Sequence, residues 1–128
     1  MTSIATPIGR VLLALIFILS GANKLADPAA TGAYMQSAGL PALLALPAGL
    51  FELVAGLMIA IGWLVRPVAL ILAGFCLVTA VLFHGNVADQ VQMVMLLKNI
   101  ALTGAFLLVF AHGAGAFSID NRRSSKGA

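Results

Sequence analysis

The chain has 128 residues, 62% of them hydrophobic and only 9% charged, with a net charge of +3. Soluble domains average about 45–50% apolar and about 25% charged residues, and one this short has too little interior to hide the excess; a soluble globular domain is therefore excluded, and lipid is the solvent the composition requires. The seven basic residues are spread singly along an apolar chain and form no stripe for nucleic acid. The length suits one domain, residues 1–128.

Four apolar stretches are long enough to span a bilayer, which takes roughly 17–25 helical residues: about 8–26, 47–65, 67–83 and 91–111. Backbone polar groups in hydrocarbon must be paired within their own segment, so each stretch is predicted to be a helix and the fold an all-α, four-helix transmembrane bundle of a polytopic membrane protein. The region before the first stretch has no lysine or arginine until Arg10. Ser20-Gly21-Ala22 resembles a small-residue cleavage site, but cleavage there would strip the bundle of a helix, so the stretch is read as a span rather than a signal peptide. Between the first and second spans, Asp27-Pro28 reads as an N-cap followed by proline at the first helical position, and Gly39 with Pro41 as a stop. A short interfacial helix is expected there, with Tyr34 and Met35 toward the lipid boundary. Gly62-Trp63-Leu64-Val65-Arg66-Pro67 is a tight turn that makes the second and third spans antiparallel neighbours. His84 to Gln90 is a short polar loop. Beyond Gly113 the tail is polar and basic, and is expected to be loose after Asp120.

Lysine and arginine counts at helix ends set orientation. Arg10, Arg66, Arg122, Arg123 and Lys126 fall on one side of the bundle, and Lys24 and Lys98 on the other. Five against two places both termini in the cytoplasm of a bacterial inner membrane.

Charged groups within spans are costly and face the bundle interior or a cavity. Lys24 closes the first span, Glu52 lies in the outer part of the second, His84 ends the third, and Lys98-Asn99 lie in the outer half of the fourth. All four helices thus bring a polar group to one level. The faces agree: Arg10, Ala14, Phe17, Gly21 and Lys24 form one stripe of the first helix. Small-residue stripes that permit close approach run through Ala48, Glu52, Gly56 and Ala60, through Ala69, Ala73, Cys76, Ala80 and His84, and through Lys98, Ala101 and Ala105. The candidate site is a polar pocket in the outer half of the bundle. Glu52, His84 and Lys98 are its candidate catalytic residues, and Lys24, Asn99 and Phe17 its candidate ligand-binding residues. Acid, base and hydrogen-bond donors in a half-enclosed pocket suit a polar headgroup such as a quinone ring. The plainer reading of the same residues is a Glu52–Lys98 ion pair fixing helix register, Lys24 reaching to the interface and His84 an ordinary loop histidine. The lysines oppose a metal ion. His84 and His112 stand at opposite ends of the bundle and cannot share a haem. Cys76 is alone and has no CxxC partner, which removes the thiol-based four-helix quinone reductases and leaves it as a packing residue.

At these residues the chain resembles the DoxX family of small bacterial membrane proteins. The resemblance rests on Arg10, Ser20-Gly21 and Lys24, on Glu52 with Gly56 and Gly62, on Arg66, His84 and Lys98-Asn99, and on Phe117-Ser118-Ile119-Asp120. It implies a four-helix membrane fold, an oxidoreductase or a subunit of one, and, because a related protein is a subunit of a thiosulfate:quinone oxidoreductase, a quinone-linked role with an electron-transfer partner. The chain has no flavin, nucleotide or iron–sulfur motif, so the expected cofactor is quinone alone. The expected partners are the bilayer, that electron-transfer subunit and a second copy of the chain. Two other readings stand beside this one: a non-catalytic membrane scaffold subunit, and a small proton-coupled transporter.

Overall fold

The computed structural model describes residues 2–83 and 88–122, with side chains from Ile4 onward. Five α-helices follow one another: α1 (Thr2–Ala26), α2 (Pro28–Ser37), α3 (Ala45–Ile61), α4 (Val65–Phe83) and α5 (Gln90–His112), with a single 3₁₀ turn at Ala42–Leu44 leading into α3. Strands are absent among the described residues. Four stretches, Ile4–Ala26, Ala42–Ile61, Val65–Phe83 and Gln90–His112, are long and apolar enough to cross a membrane, with mean hydropathy from 2.0 to 2.2. The exposed surface fits that solvent: Leu12, Leu19, Leu50, Ile71, Val81, Val94 and Leu108 all point outward.

Local chemistry sets most boundaries. The Asp27 carboxylate accepts from the Ala30 amide at 3.1 Å with Pro28 opening α2, as expected, and Gly39 at φ 82° follows its end. Gly62 ends α3 in the left-handed conformation at φ 81°, its amide bonding back to Met58 and Ile59. A glycine is the cheap residue for that cap. The second span therefore stops at Ile61 rather than 65, and Val65 opens α4, with Pro67 in a first turn whose amides need no helical acceptor. α1 begins earlier than expected, carrying Pro7 inside its first turns. Asp89 caps α5, accepting from Val91 and Gln92.

The helices are organised as two pairs. α1 packs along α3, and α4 along α5; α3 and α4 touch beside their turn, but each packs mainly on its other neighbour. The turn between them is thus a weaker guide to packing than its length suggests. Lipid offers no hydrophobic drive for helices to associate, so close approach must supply it. A Cβ on Gly21 would lie 2.6 Å from the Leu53 nitrogen and 2.7 Å from the Gly49 carbonyl oxygen; one on Gly56 would press on Ile18 and Phe17. Between the pairs sits an aromatic layer. Phe17 meets Phe106 edge-on at 5.4 Å and Phe75 at 6.4 Å, and Phe51 adds to Phe75 at 5.1 Å. Ile59, Val65, Leu72 and Cys76 fill the rest.

Three expected faces need correction. The stripe of α1 holds, with Arg10, Ala14, Phe17 and Gly21 buried, and so does that of α4 through Ala69, Ala73, Cys76 and Ala80. On α3 the buried line is Ala45, Gly49, Glu52, Ala55, Gly56 and Ile59, while Ala48 and Ala60 are half-buried. On α5 Ala101 is exposed and the inward residues are Asn99 and Phe106, flanked by Leu102, Thr103 and Val109. Met35, expected at the lipid boundary, is buried with Gly32 where α2 folds over the 3₁₀ turn; Tyr34 remains half exposed.

Candidate functional site

Lys24, Glu52, Lys98, Asn99 and Phe17 line a single cavity of about 170 Å³ between the two helix pairs. Five of the six expected site residues therefore converge. The sixth, His84, lies outside the described residues. Glu52 is brought there by the buried line of α3 and is 5% exposed; Lys24 reaches it from the last turn of α1.

The expected Glu52–Lys98 pair is not the one that forms. Lys24 Nζ lies 2.7 Å from Glu52 Oε2. The same ammonium donates to Ser20 Oγ at 2.7 Å, and Ser20 in turn donates weakly to both Glu52 oxygens at 3.4 and 3.5 Å. The reason is topological: α1 and α3 are the tightly packed pair, so an acid on α3 meets a cation on α1 before one on α5. Lys24 is therefore a partner of the acid rather than a group that merely reaches to the interface. Lys98 faces the cavity from the opposite wall, half-buried, with no ion pair or hydrogen bond among the described residues.

The wall formed by α4 and α5 is stitched by hydroxyls. Asn99 Nδ2 donates to Thr79 Oγ1 at 3.2 Å, and Thr79 donates to the Phe75 carbonyl at 2.9 Å. Thr103 donates to the Asn99 carbonyl at 2.9 Å and toward Ala73 at 3.3 Å. These bonds turn the Asn99 side chain along the wall and leave its Oδ1 as a further acceptor. Phe17, Phe75 and Leu102 supply apolar surface, and Cys76, a packing residue, also touches the cavity. Tyr34 of α2 stacks on Phe83 of α4, ring centres 5.1 Å apart and 12° from parallel, and both rings border the cavity.

Ser20, Tyr34, Thr79 and Phe75 were missed as site residues. Ser20 stands one turn before Lys24 on the same side of α1, and that helical spacing from an identified site residue was the available signal for it; Thr79 stands three residues after Cys76, which was read as a packing residue, and had no such signal. Among the described residues no three of His, Cys, Asp or Glu gather to hold a metal ion. What the cavity offers instead is one neutralised ion pair, one further ammonium, amide and hydroxyl groups, and flat apolar walls.

The opposite end of the bundle is tied closed by hydrogen bonds, with hollows beside it lined by Arg66 and Asp120 and by Arg10 and Leu13. Arg10, 3% exposed, donates through Nη1 to the carbonyls of Ile59 and Ala60, both at 3.0 Å, and through Nη2 to that of Phe117. A cation is favoured at the C-terminus of α3 by the helix dipole. Asp120 accepts from the amides of Leu64 and Val65 at 2.7 and 2.8 Å, and its own amide donates to the Gly62 carbonyl. The segment after α5 is thus fastened up to Asp120, with a last helical turn at 119–122; the looseness expected beyond Asp120 falls mostly outside the described residues. His112, exposed, ends α5 on this side.

Comparison with known proteins agrees with this architecture. The DoxX family model matches residues 5–85, which takes in α1 to α4 with Ser20, Lys24 and Glu52. Two Escherichia coli (strain K12) proteins are similar over nearly the full length and extend the likeness across α5. Inner membrane protein YqjF is 40% identical over 119 residues, 93% of this chain and 92% of the relative. Inner membrane protein YphA is 37% identical over 122 residues, 90% of this chain and 87% of the relative. No solved structure matches the chain significantly. With four spanning helices, a family match over more than half its length and inner-membrane relatives over almost all of it, the chain is an integral inner-membrane protein and belongs to the DoxX family.

Proposed function

We propose that the cavity receives the ring of a membrane-soluble quinone and that the chain works as a quinone-linked redox subunit. The observation that carries this reading is Lys98. Glu52 already neutralises Lys24, so the cavity holds a second ammonium with no counter-charge of its own among the described residues, in a place where an uncompensated charge is costly. A ligand oxygen that is electron-rich, and becomes more so on reduction, supplies what Lys98 lacks. The size also suits one six-membered ring: a cavity of about 150 Å³ holds benzene, and this one measures about 170 Å³. Phe17 and Phe75 give the flat apolar surface a ring requires.

When bound, the quinone would accept or return electrons and protons. In this reading Lys98 holds one ring oxygen. The Lys24–Ser20–Glu52 chain provides a carboxylate and an ammonium between which a proton can pass at the cavity wall. Electrons would come from a partner protein docked on the membrane surface. The five-to-two asymmetry of basic residues supports cytoplasmic termini, which sets the cavity in the outer half of the bilayer. A cysteine introduced by Ser125→Cys should then resist an impermeant thiol reagent in intact cells; labelling there reverses the orientation.

The test of the function is binding by the purified chain. A short-tailed benzoquinone should raise its melting temperature, and Lys98→Met should remove the shift while leaving the protein folded. No shift with any quinone in the parent protein would sink the redox reading and favour a scaffold.

A further inference from the structure

The cavity is not sealed on the side of α2. A larger hollow of about 540 Å³ lies between α1 and α2 and shares Ile16, Ser20, Lys24, Tyr34 and Phe83 with it. The two hollows therefore adjoin, with the stacked Tyr34 and Phe83 rings among the residues that border both. Their linings differ. The charged groups Glu52 and Lys98 belong to the small inner chamber alone, while the outer one adds Leu19, Ala30 and Met35 together with Asn23 and Thr31. Ile16 and Leu19 are 37% and 56% exposed on the lipid-facing side of the spanning helix α1.

We infer that the outer hollow is a subsite for the hydrocarbon tail of the molecule whose ring occupies the inner chamber, and a lateral entrance from the membrane. The inference rests on the ring-binding reading above and narrows its substrate class: a single-chain amphiphile dissolved in the bilayer, not a water-soluble quinone-like compound. Three features favour this occupant. The inner chamber has room for a ring and little more. The only lining residues common to both chambers stand at their junction, so a head in one and a tail in the other form one unbroken molecule. The outer lining is mostly apolar, and a tail leaving hydrocarbon for it gives up no apolar surroundings. Little affinity comes from such an exchange, since lipid is as apolar as the groove; the groove acts on fit and direction of entry. Tyr34 and Phe83, stacked across the junction, form its roof, and α2 is the element that must yield for a bulkier head to pass.

The experiment uses the full chain in lipid nanodiscs and two probes: a methoxylated benzoquinone without a tail, and the same ring bearing an alkyl tail with a terminal photoreactive group. The tail label should attach between residues 16 and 35, and excess tailless quinone should suppress it. Leu19→Trp, which fills the groove from its lipid side, should remove the tail label from residues 16–35 and leave binding of the tailless ring unchanged. If the tailless ring binds by thermal shift while the tail label falls on the lipid face of α5, the ring reading stands and the groove assignment is overturned. The same holds if a photoreactive phospholipid labels residues 16–35 as strongly and tailless quinone suppresses neither, because the groove would then be an ordinary lipid site. If the tailless ring itself does not bind, the ring reading falls and takes the tail with it.

Discussion

Arg10 and Lys24 stand on one face of α1, about 21 Å apart along its axis at 1.5 Å per residue, and their surroundings are opposites. Arg10 is enclosed by carbonyls of α3 and of the segment after α5, and a glycine at 62 lets Ser118 and the guanidinium press against the turn. Lys24 faces a carboxylate and a hydroxyl across one wall of a cavity whose other wall holds a second cation, unpaired among the described residues. Burial of charge is common to both. At the Arg10 end the Arg10 Nη groups and the Asp120 carboxylate are spent on backbone of the same chain, which fastens helices together, while Arg10 Nε has no partner among the described residues. At the Lys24 end charge remains in excess beside empty volume, which is the arrangement of a binding site.

Substitutions can break or sharpen that contrast. The largest effect is expected from Arg10→Met. It strips charged donors from two buried carbonyls of α3 and one beyond α5, and should cost about 3 kcal/mol or more, at roughly 1.5–3 per hydrogen bond to a charged group; thermal unfolding in detergent reads it. A loss below that of a surface substitution would show that the closed end is not the stabilising one. Next comes the ion pair. Lys24→Met and Glu52→Gln should each cost about 2 kcal/mol, less than the 3–5 typical of a fully buried pair because the Lys24 side chain keeps 23% of its exposure. In a double-mutant cycle the two should couple by about 1–3 kcal/mol, and Glu52 with Lys98 far less. Stronger coupling to Lys98 would place the acid's true partner across the cavity. Asp120→Ala should cost about 1–2 kcal/mol, the usual loss for a helix cap. The smallest loss of stability belongs to Lys98→Met, which removes an ammonium unpaired among the described residues and should leave the fold at least as stable as before, combined with loss of the quinone-induced shift in melting temperature. A large destabilisation by this variant would make Lys98 structural and erase the difference between the two ends.

Much of this was legible before the fold was seen, for a physical reason: membrane spans announce themselves by composition, and Asp27-Pro28, Gly39 and the α1 stripe follow local rules. The level of the polar groups was also legible, since depth is a count of residues from a helix end. Which groups meet was not. Glu52 has lysines at similar depth on two helices, and only the close glycine packing of α1 on α3 selects Lys24. The face of α5 was misread because lipid and protein neighbours are both apolar; Ala101 and Phe106 carry no polar contrast that separates inside from outside. Hydroxyl residues such as Ser20 and Thr79 hide for a related reason, since either can bond its own helix and sit anywhere. The burial of Met35 depends on how α2 lies over the 3₁₀ turn, a tertiary matter that no local pattern encodes.

Asp120 caps α4 from a position beyond α5, and this has a consequence for how the chain is made. A ribosome delivers α4 well before residue 120, so the leading amides of that helix wait without their carboxylate while α5 is still being synthesised. Arg10 waits longer: its Phe117 acceptor arrives more than a hundred residues after it. The closed end can therefore lock only after residue 120 has been made, and a chain cut short after α5 would enter the bilayer with four helices but without its clasp.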